Sequence, residues 1–95
     1  MLVAVSAQKP PAYDAFGGGH LIRKVTDEGR YITLEDSSCW EVNPEEWFKS
    51  ADWQPLDSMT VRAARGENGY DYELVNTTDD EGVLAKFLPK PARKH

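Results

Sequence analysis

The residues with the most reactive side chains are two histidines, one cysteine and several runs of carboxylates. His20 follows three glycines, and the other histidine, His95, is the last residue. A zinc site needs three or four ligands, and the sequence offers no further histidine near His20 to complete one. We therefore expect neither metal ligands nor a histidine-based catalytic site.

The candidate nucleophiles are equally isolated. Ser37, Ser38 and Ser58 lack the glycine-flanked turn and the partner histidine that serine hydrolases use. Cys39 is the only cysteine, so it forms no disulfide within the chain, and no histidine or cation adjoins it to activate its thiol. The sequence predicts a protein that is not an enzyme and has no cofactor.

The acidic run Asp79-Asp80-Glu81 is a candidate calcium site, because hard cations take several oxygen ligands. It lacks the alternating carboxylate spacing and the distal glutamate of an EF-hand loop. We interpret it as a solvated turn. A small metal-assisted hydrolase is accordingly the weakest functional alternative.

Charge is distributed unevenly along the chain. The net charge is −5, but residues 27–81 carry 15 acidic and 4 basic side chains, a net charge of −11. Phosphate binding depends on clustered lysine and arginine, so an acidic body disfavours nucleic acid as a partner. The basic residues of the tail, Lys90, Arg93 and Lys94, are too few to reverse that balance.

Residues 31–42 read as a hairpin around which the other elements are arranged. Two-residue alternation puts Ile32, Leu34, Trp40 and Val42 on one face of this hairpin. The polar residues 35–38 between the two runs supply its turn, because short polar side chains bond to their own backbone.

A short helix is predicted near residues 44–51. Asn43 provides the N-cap, Pro44 the first helical position, and Glu46 a carboxylate that can reach back to the cap. Trp47 is placed to pack on Val42. Pro55 requires the helix to end by residue 54.

Four further segments alternate in the same way, at residues 20–26, 56–64, 70–74 and 83–87. Gly29 and the Asn68-Gly69 pair mark turns between them. The predicted fold class is mainly β: a small antiparallel barrel of about six short strands with one short helix. An SH3-like barrel is the first choice because sequential strands are expected to be neighbours, and an OB-like Greek key is the alternative.

Ninety-five residues make one domain. We expect a flexible N-terminal segment or signal remnant at residues 1–19, a single β-barrel domain at residues 20–88, and a basic disordered tail at residues 89–95. Val5-Ser6-Ala7 has the small-residue pattern that precedes signal-peptide cleavage, which favours export over an ordinary terminus. Tyr13 and Phe16 are candidates for a latch over the barrel mouth.

Several of these positions together resemble a group of small bacterial proteins, often exported, with the pattern I-x-L-x-D-G-S-x-W-E-V-x-P-x-D, then W, D-x-V-x-V and Y-x-L-x-N. Ser37 stands where the pattern has glycine, and Met59 where it has a β-branched residue. The resemblance implies a small barrel in a bacterial envelope compartment and assigns no functional residues. The matching residues are Ile32, Leu34, Asp36, Ser38, Trp40, Glu41, Val42, Pro44, Trp53, Asp57, Tyr72, Leu74 and Asn76.

The leading functional hypothesis is a non-enzymatic binding or accessory module that docks a protein or peptide. Trp53 lies in a predicted loop, where it either contacts a ligand or plugs the open end of the barrel. Tyr70 and Tyr72 complete the candidate binding residues. Single-stranded nucleic-acid binding by an OB-type barrel is the second hypothesis. We expect a monomer without a membrane span, periplasmic or secreted, with a cytoplasmic location as the alternative.

Overall fold

The structure is a computed structural model that describes residues 13–89. Within that range the chain forms six β-strands and one short α-helix. Their bounds are β1 Gly17–Thr26, β2 Tyr31–Leu34, β3 Cys39–Val42, α1 Trp47–Ser50, β4 Ser58–Ala63, β5 Tyr72–Asn76 and β6 Glu81–Leu88. The export pattern Val5-Ser6-Ala7 and the basic tail from Lys90 onward lie outside the described residues.

The six strands close into an antiparallel barrel in the order β1-β2-β3-β6-β5-β4. The predicted fold class, a mainly β barrel with one short helix, is confirmed. β4 lies beside β1 rather than beside β3, so the first four strands form a Greek key. An SH3-like barrel is expected to have sequential strands as neighbours, and β3 and β4 break that order. The Greek key is instead the arrangement expected for the OB-like alternative.

Alternating residues of all six strands fill the barrel interior. The hairpin residues Ile32, Leu34, Trp40 and Val42 are 0% exposed, as their spacing predicts. Closure pairs each strand on both sides, which protects the edges of six short strands from pairing with another chain. The other core residues contributed by strands are Ile22, Met59, Val61, Leu74, Val83 and Ala85.

The first strand begins at Gly17, three residues before the predicted start at His20. Gly17 and Gly19 have positive φ values of 104° and 90°, a conformation that glycine adopts without strain. Gly17 pairs with Val61 of β4, so the triple glycine belongs to the barrel and not to the flexible N-terminal segment predicted for residues 1–19.

The predicted N-cap is present. Asn43 Oδ1 accepts a hydrogen bond from the Glu45 backbone N–H at 3.0 Å, and Pro44 occupies the first position. The helix itself is divided into a 3₁₀ turn, Pro44–Glu46, and the single turn of α1. Trp47 is half-buried, and its Nε1 donates to the Val42 carbonyl oxygen at 2.6 Å.

Glu46 does not reach back to the N-cap as predicted. Its Oε1 accepts a hydrogen bond from the Leu84 backbone N–H at 2.6 Å instead. The reason lies in the strand register, because Val42, the last residue of β3, pairs with Ala85. Leu84 therefore lies beyond the end of β3. Its backbone N–H has no partner on that strand and donates to the Glu46 carboxylate instead.

α1 packs on the turn between β1 and β2. Gly29 in that turn has a φ of +96°, and a Cβ there would lie 2.4 Å from the Ala51 backbone nitrogen. Ser50 is 0% exposed and donates from its Oγ to the Gly29 carbonyl oxygen at 2.7 Å. Only glycine fits position 29.

Between residues 13 and 89, no helix is long and apolar enough to cross a bilayer.

Candidate functional site

One end of the barrel gathers four aromatic rings, from Tyr13, Trp40, Tyr72 and Phe87. Tyr13 meets Trp40 edge to face, with 4.8 Å between ring centroids, and lies 5.3 Å from Phe87. Trp40 lies 5.1 Å from Tyr72 and 5.3 Å from Phe87. We call these four rings the aromatic end of the barrel.

Tyr13 closes this end, as the latch hypothesis expects. It is 8% exposed, and its backbone N–H donates to Tyr72 Oη at 3.1 Å. Its Oη donates to Asp36 Oδ2 at 2.5 Å. Burial and the Asp36 carboxylate both raise the pKa of Tyr13, so the phenol stays neutral and remains a donor. Phe16 is 50% exposed and stacks on Tyr72 at 6.1 Å, so it forms the outer part of the latch.

The turn between β2 and β3 is held by Asp36. Its Oδ1 accepts hydrogen bonds from the Ser38 backbone N–H at 3.0 Å and from Ser38 Oγ at 2.6 Å. Ser38 Oγ in turn accepts from Trp40 Nε1 at 2.9 Å, which connects the turn to the core. Partial burial opposes ionisation of Asp36, but the bonds from Ser38 and Tyr13 outweigh it and hold the pKa of Asp36 below its ordinary value of 3.8.

His20 is 8% exposed and lies between two hydrogen-bond acceptors. Its Nδ1 is 2.9 Å from Glu35 Oε2, and its Nε2 is 2.8 Å from the Ala15 carbonyl oxygen. Neither partner is a donor, so the two contacts together favour the form in which both ring nitrogens carry protons, the imidazolium. Burial opposes this charge, but the Ala15 carbonyl and the Glu35 carboxylate outweigh it and raise the pKa of His20 above 6.5.

His20, Glu35 and Asp36 also form a group whose candidate ligand atoms lie within 4.8 Å of one another. The donor set fits a metal ion poorly, because a histidine ligand must present a deprotonated nitrogen. Both nitrogens of His20 already face acceptors at hydrogen-bond distance, the Glu35 carboxylate and the Ala15 carbonyl oxygen. We interpret the group as a hydrogen-bonded clamp that joins the segment before β1 to the turn after β2.

A cavity of about 270 Å³ opens beside this clamp. One wall is polar and comes from the turn after β2, and the other is apolar and comes from the latch and the end of β6. Asp36 and Ser37 are exposed at the rim, while Leu88 is half-buried. The lining residues are Tyr13, Asp36, Ser37, Ser38, Phe87 and Leu88.

Trp53, the first of the three predicted binding residues, is buried. It is 2% exposed, and its Nε1 donates to Glu81 Oε1 at 2.9 Å. Glu81 begins β6, whereas the aromatic end lies near Leu88 at the other end of that strand. Of the two alternatives for Trp53, the structure agrees with the second: the side chain plugs the end of the barrel where β6 begins and is not exposed to contact a ligand.

Tyr70 and Tyr72 are separated from Trp53. Tyr72 is half-buried at the aromatic end, beneath the latch. Tyr70 is 8% exposed and carries Lys86 Nζ over its ring, 4.7 Å from the centroid. It lines a second, polar cavity of about 290 Å³ with Lys86, Glu45 and Glu67. The three predicted residues thus do not form one surface, and their binding role stays a prediction.

The acidic residues after β5 form a turn that is tied to the preceding loop. Asn76 is 0% exposed; its Nδ2 donates to Asp57 Oδ2 at 2.8 Å and its Oδ1 accepts from the Asp79 backbone N–H at 2.9 Å. Desolvation and then the neighbouring carboxylates, chiefly Asp57 and Glu81, raise the pKa of Asp79. Asp79 and Asp80 are exposed, as a solvated turn requires, whereas Glu81 is half-buried and accepts the hydrogen bond from Trp53.

Comparison with protein-family models, with curated proteins and with solved structures finds no match for this chain. The resemblance to small, often exported bacterial proteins therefore stays a hypothesis. What the fold and the site define together is a small closed β-barrel with an aromatic end and a cavity beside a fixed carboxylate. Function must be inferred from these residues themselves.

Proposed function

We propose that this protein is a non-enzymatic binding module that docks a protein or peptide segment at the aromatic end of its barrel. The cavity beside Asp36 and Phe87 is the observation that carries the proposal. Its volume of about 270 Å³ lies just below the range of roughly 300–1,000 Å³ found for small-molecule sites. A space of this size accepts one or two side chains of a partner more readily than a whole cofactor.

The polar groups at this end support binding rather than catalysis. A general base needs a free lone pair within reach of the proton that it removes. His20 donates from both ring nitrogens, and Tyr13 donates to Asp36. These bonds fix the walls of the cavity, and in the imidazolium form neither ring nitrogen has a free lone pair with which to accept a proton.

The proposed docking surface differs from the one that the sequence indicates. Tyr72 remains part of it, because it supports Tyr13 from below. Trp53 and Tyr70 do not belong to it, since the first is a plug at the start of β6 and the second lines the other cavity. The surface consists instead of the latch, the turn after β2 and the last residues of β6.

We further propose an envelope compartment, periplasmic or secreted, on the basis of Val5-Ser6-Ala7 and the resemblance described above. Fractionation of the native cells, in which the protein is made from its own chromosomal gene with the upstream sequence intact, tests this. Recovery in the periplasm or the medium is expected. Recovery only in the cytoplasm would contradict it.

Paired leucine variants test the docking surface. Leu88 lines the cavity, whereas Leu56 is 75% exposed in the loop before β4. Burying a leucine side chain contributes about 1.5–3 kcal/mol, so Leu88→Gln should weaken capture of a partner from native extract by roughly tenfold or more. Leu56→Gln should leave capture unchanged. Equal capture by the parent and by Leu88→Gln, or loss only in Leu56→Gln, would contradict the proposal.

A further inference from the structure

We infer that the cavity at the aromatic end takes a cationic side chain, arginine or lysine, from a basic peptide segment. This inference rests on the proposed function and specifies the chemistry of the docked group. The cavity combines one carboxylate, two aromatic rings and an apolar wall. None of the described residues that line it is a cation.

The carboxylate is held in place before any ligand arrives. Asp36 is exposed at the rim, yet Tyr13 Oη fixes one of its oxygens and Ser38 fixes the other. These bonds also favour its ionised form, so the charge is present at neutral pH. A side chain that is already ordered loses less conformational entropy on binding than a free one.

The aromatic rings provide the second element of recognition. The Tyr13 and Phe87 centroids are 5.3 Å apart and their planes are inclined by 50°. A cation within about 6 Å of a ring centroid is attracted by the π-electrons, and an arginine can stack on a ring while it donates to a carboxylate. Leu88 offers apolar surface for the methylene stem of the same side chain.

The surrounding charges also favour a basic partner. Two basic side chains contact the turn after β2: His20 pairs with the Glu35 carboxylate, and Arg23 donates to the Glu35 backbone carbonyl oxygen at 3.0 Å and to Ser37 Oγ at 3.3 Å. Neither lines the cavity. The described residues, 13–89, carry 16 acidic and 7 basic side chains, a net charge of −9 with histidine neutral, which attracts basic segments over longer distances and repels nucleic-acid phosphates.

A peptide titration of the full chain tests the inference. Two blocked tripeptides, Gly-Arg-Gly and the neutral isostere Gly-citrulline-Gly, are added to isotopically labelled protein while amide resonances are followed. The arginine peptide should shift the resonances of Asp36, Ser37 and Leu88 and bind roughly tenfold more tightly than the citrulline peptide. Asp36→Asn should remove most of that difference, whereas Asp71→Asn, a change at an exposed aspartate between β4 and β5, should preserve it.

Because Asp36→Asn also alters the bond from Tyr13, a second pair of variants is needed. Leu88→Lys adds a cation to the wall and should abolish binding of the arginine peptide, while Leu88→Met should retain it. Equal binding to Leu88→Lys and Leu88→Met, or equal binding of the two peptides to the parent chain, would overturn the cation inference and leave docking itself intact. If neither peptide shifts the resonances of Asp36, Ser37 and Leu88, the cation inference and the proposed docking at this cavity are both overturned.

Discussion

His20 Nδ1 lies 2.9 Å from Glu35 Oε2, across the pair formed by β1 and β2. The opposite ring nitrogen is 2.8 Å from the Ala15 carbonyl oxygen, so one charged ring joins the latch segment to the turn after β2. Tyr13 Oη and the Asp36 carboxylate are the other polar groups that face this ring. Protonation of His20 therefore adds to the two bonds from Tyr13, to Asp36 and to Tyr72, that hold the latch.

The clamp predicts a pH dependence of stability. The pKa of His20 is raised on folding, so its stabilisation is complete below the ordinary value of 6.5 and is lost as pH rises through the folded-state pKa. Because the Glu35 side chain is 42% exposed, we expect a loss of only about 1 kcal/mol, or roughly 4–8 °C in Tm, as the pH rises from about 6 through the folded-state pKa. Thermal unfolding measured across this range checks it.

The two histidines provide a matched pair for that measurement. His20→Gln should flatten the pH dependence, whereas His95→Gln, a change in the terminal residue, should leave it as in the parent chain. An NMR titration should show one imidazole with a pKa raised above the ordinary range. A His20→Gln variant with an unaltered pH profile would show that the clamp does not stabilise the fold.

Gly29→Ala should be among the most destabilising single changes in the barrel. The new Cβ would clash with the Ala51 backbone at 2.4 Å, and the residue would be strained at a φ of +96°. Strain and overpacking together should cost about 2–4 kcal/mol in urea unfolding. Gly19→Ala is the control, since Gly19 has a similar φ of +90° but open space around it, and should cost only about 1 kcal/mol. Equal costs would mean that α1 does not pack on the turn as described.

Trp53→Ala distinguishes a plug from a contact residue. Removing a buried indole that also donates to Glu81 should destabilise the protein by about 3–5 kcal/mol. Phe48 is 73% exposed, and Phe48→Ala should change stability by no more than about 0.5 kcal/mol. If Tm were unaffected by Trp53→Ala, the indole would be free for a partner, as the sequence alone allows.

Ser37→Gly should stabilise the protein slightly. Ser37 has a φ of +71°, a left-handed conformation that costs about 1–2 kcal/mol for residues with a Cβ. The greater freedom of glycine in the unfolded chain and the lost bond from Arg23 offset part of this gain, which leaves about 0.5 kcal/mol. Ser58→Gly, at an exposed position of β4, should instead destabilise by roughly 0.5–1 kcal/mol. Chemical unfolding of both variants tests whether their changes in the free energy of unfolding have opposite signs.

The features that the sequence predicts are those with local causes. Ile32 and Trp40 follow two-residue alternation, and their burial needs no knowledge of the other strands. The Asn43 cap depends on a backbone amide two residues away. The turn after β2 is equally local, because Asp36 bonds to Ser38.

The features that the sequence does not predict depend on distant partners. For Trp53 the sequence includes the plug among its alternatives, but it does not indicate that the indole bonds to Glu81, 28 positions further on. Glu46 bonds to Leu84 because of where β3 ends, which alternation does not specify.

The clamp depends on distant partners for the same reason. His20 and Glu35 are 15 positions apart and meet only through the register of β1 on β2, which is shifted by an irregularity between Ile22 and Lys24. One signal in the sequence does point to it. His20 lies two residues before Ile22, so the alternation of β1 places both side chains on the face that is buried.

Photochemical cross-linking in living cells tests the docking surface most directly. A photoreactive phenylalanine analogue is introduced in place of Leu88 in the full chain, and in a separate protein in place of Leu56. We expect illumination to give a covalent adduct with a partner from the first position and not from the second, and Asp36→Asn to reduce its yield. Docking at the aromatic end would be contradicted if adducts formed only with the analogue at position 56, or if no adduct formed with the analogue at position 88.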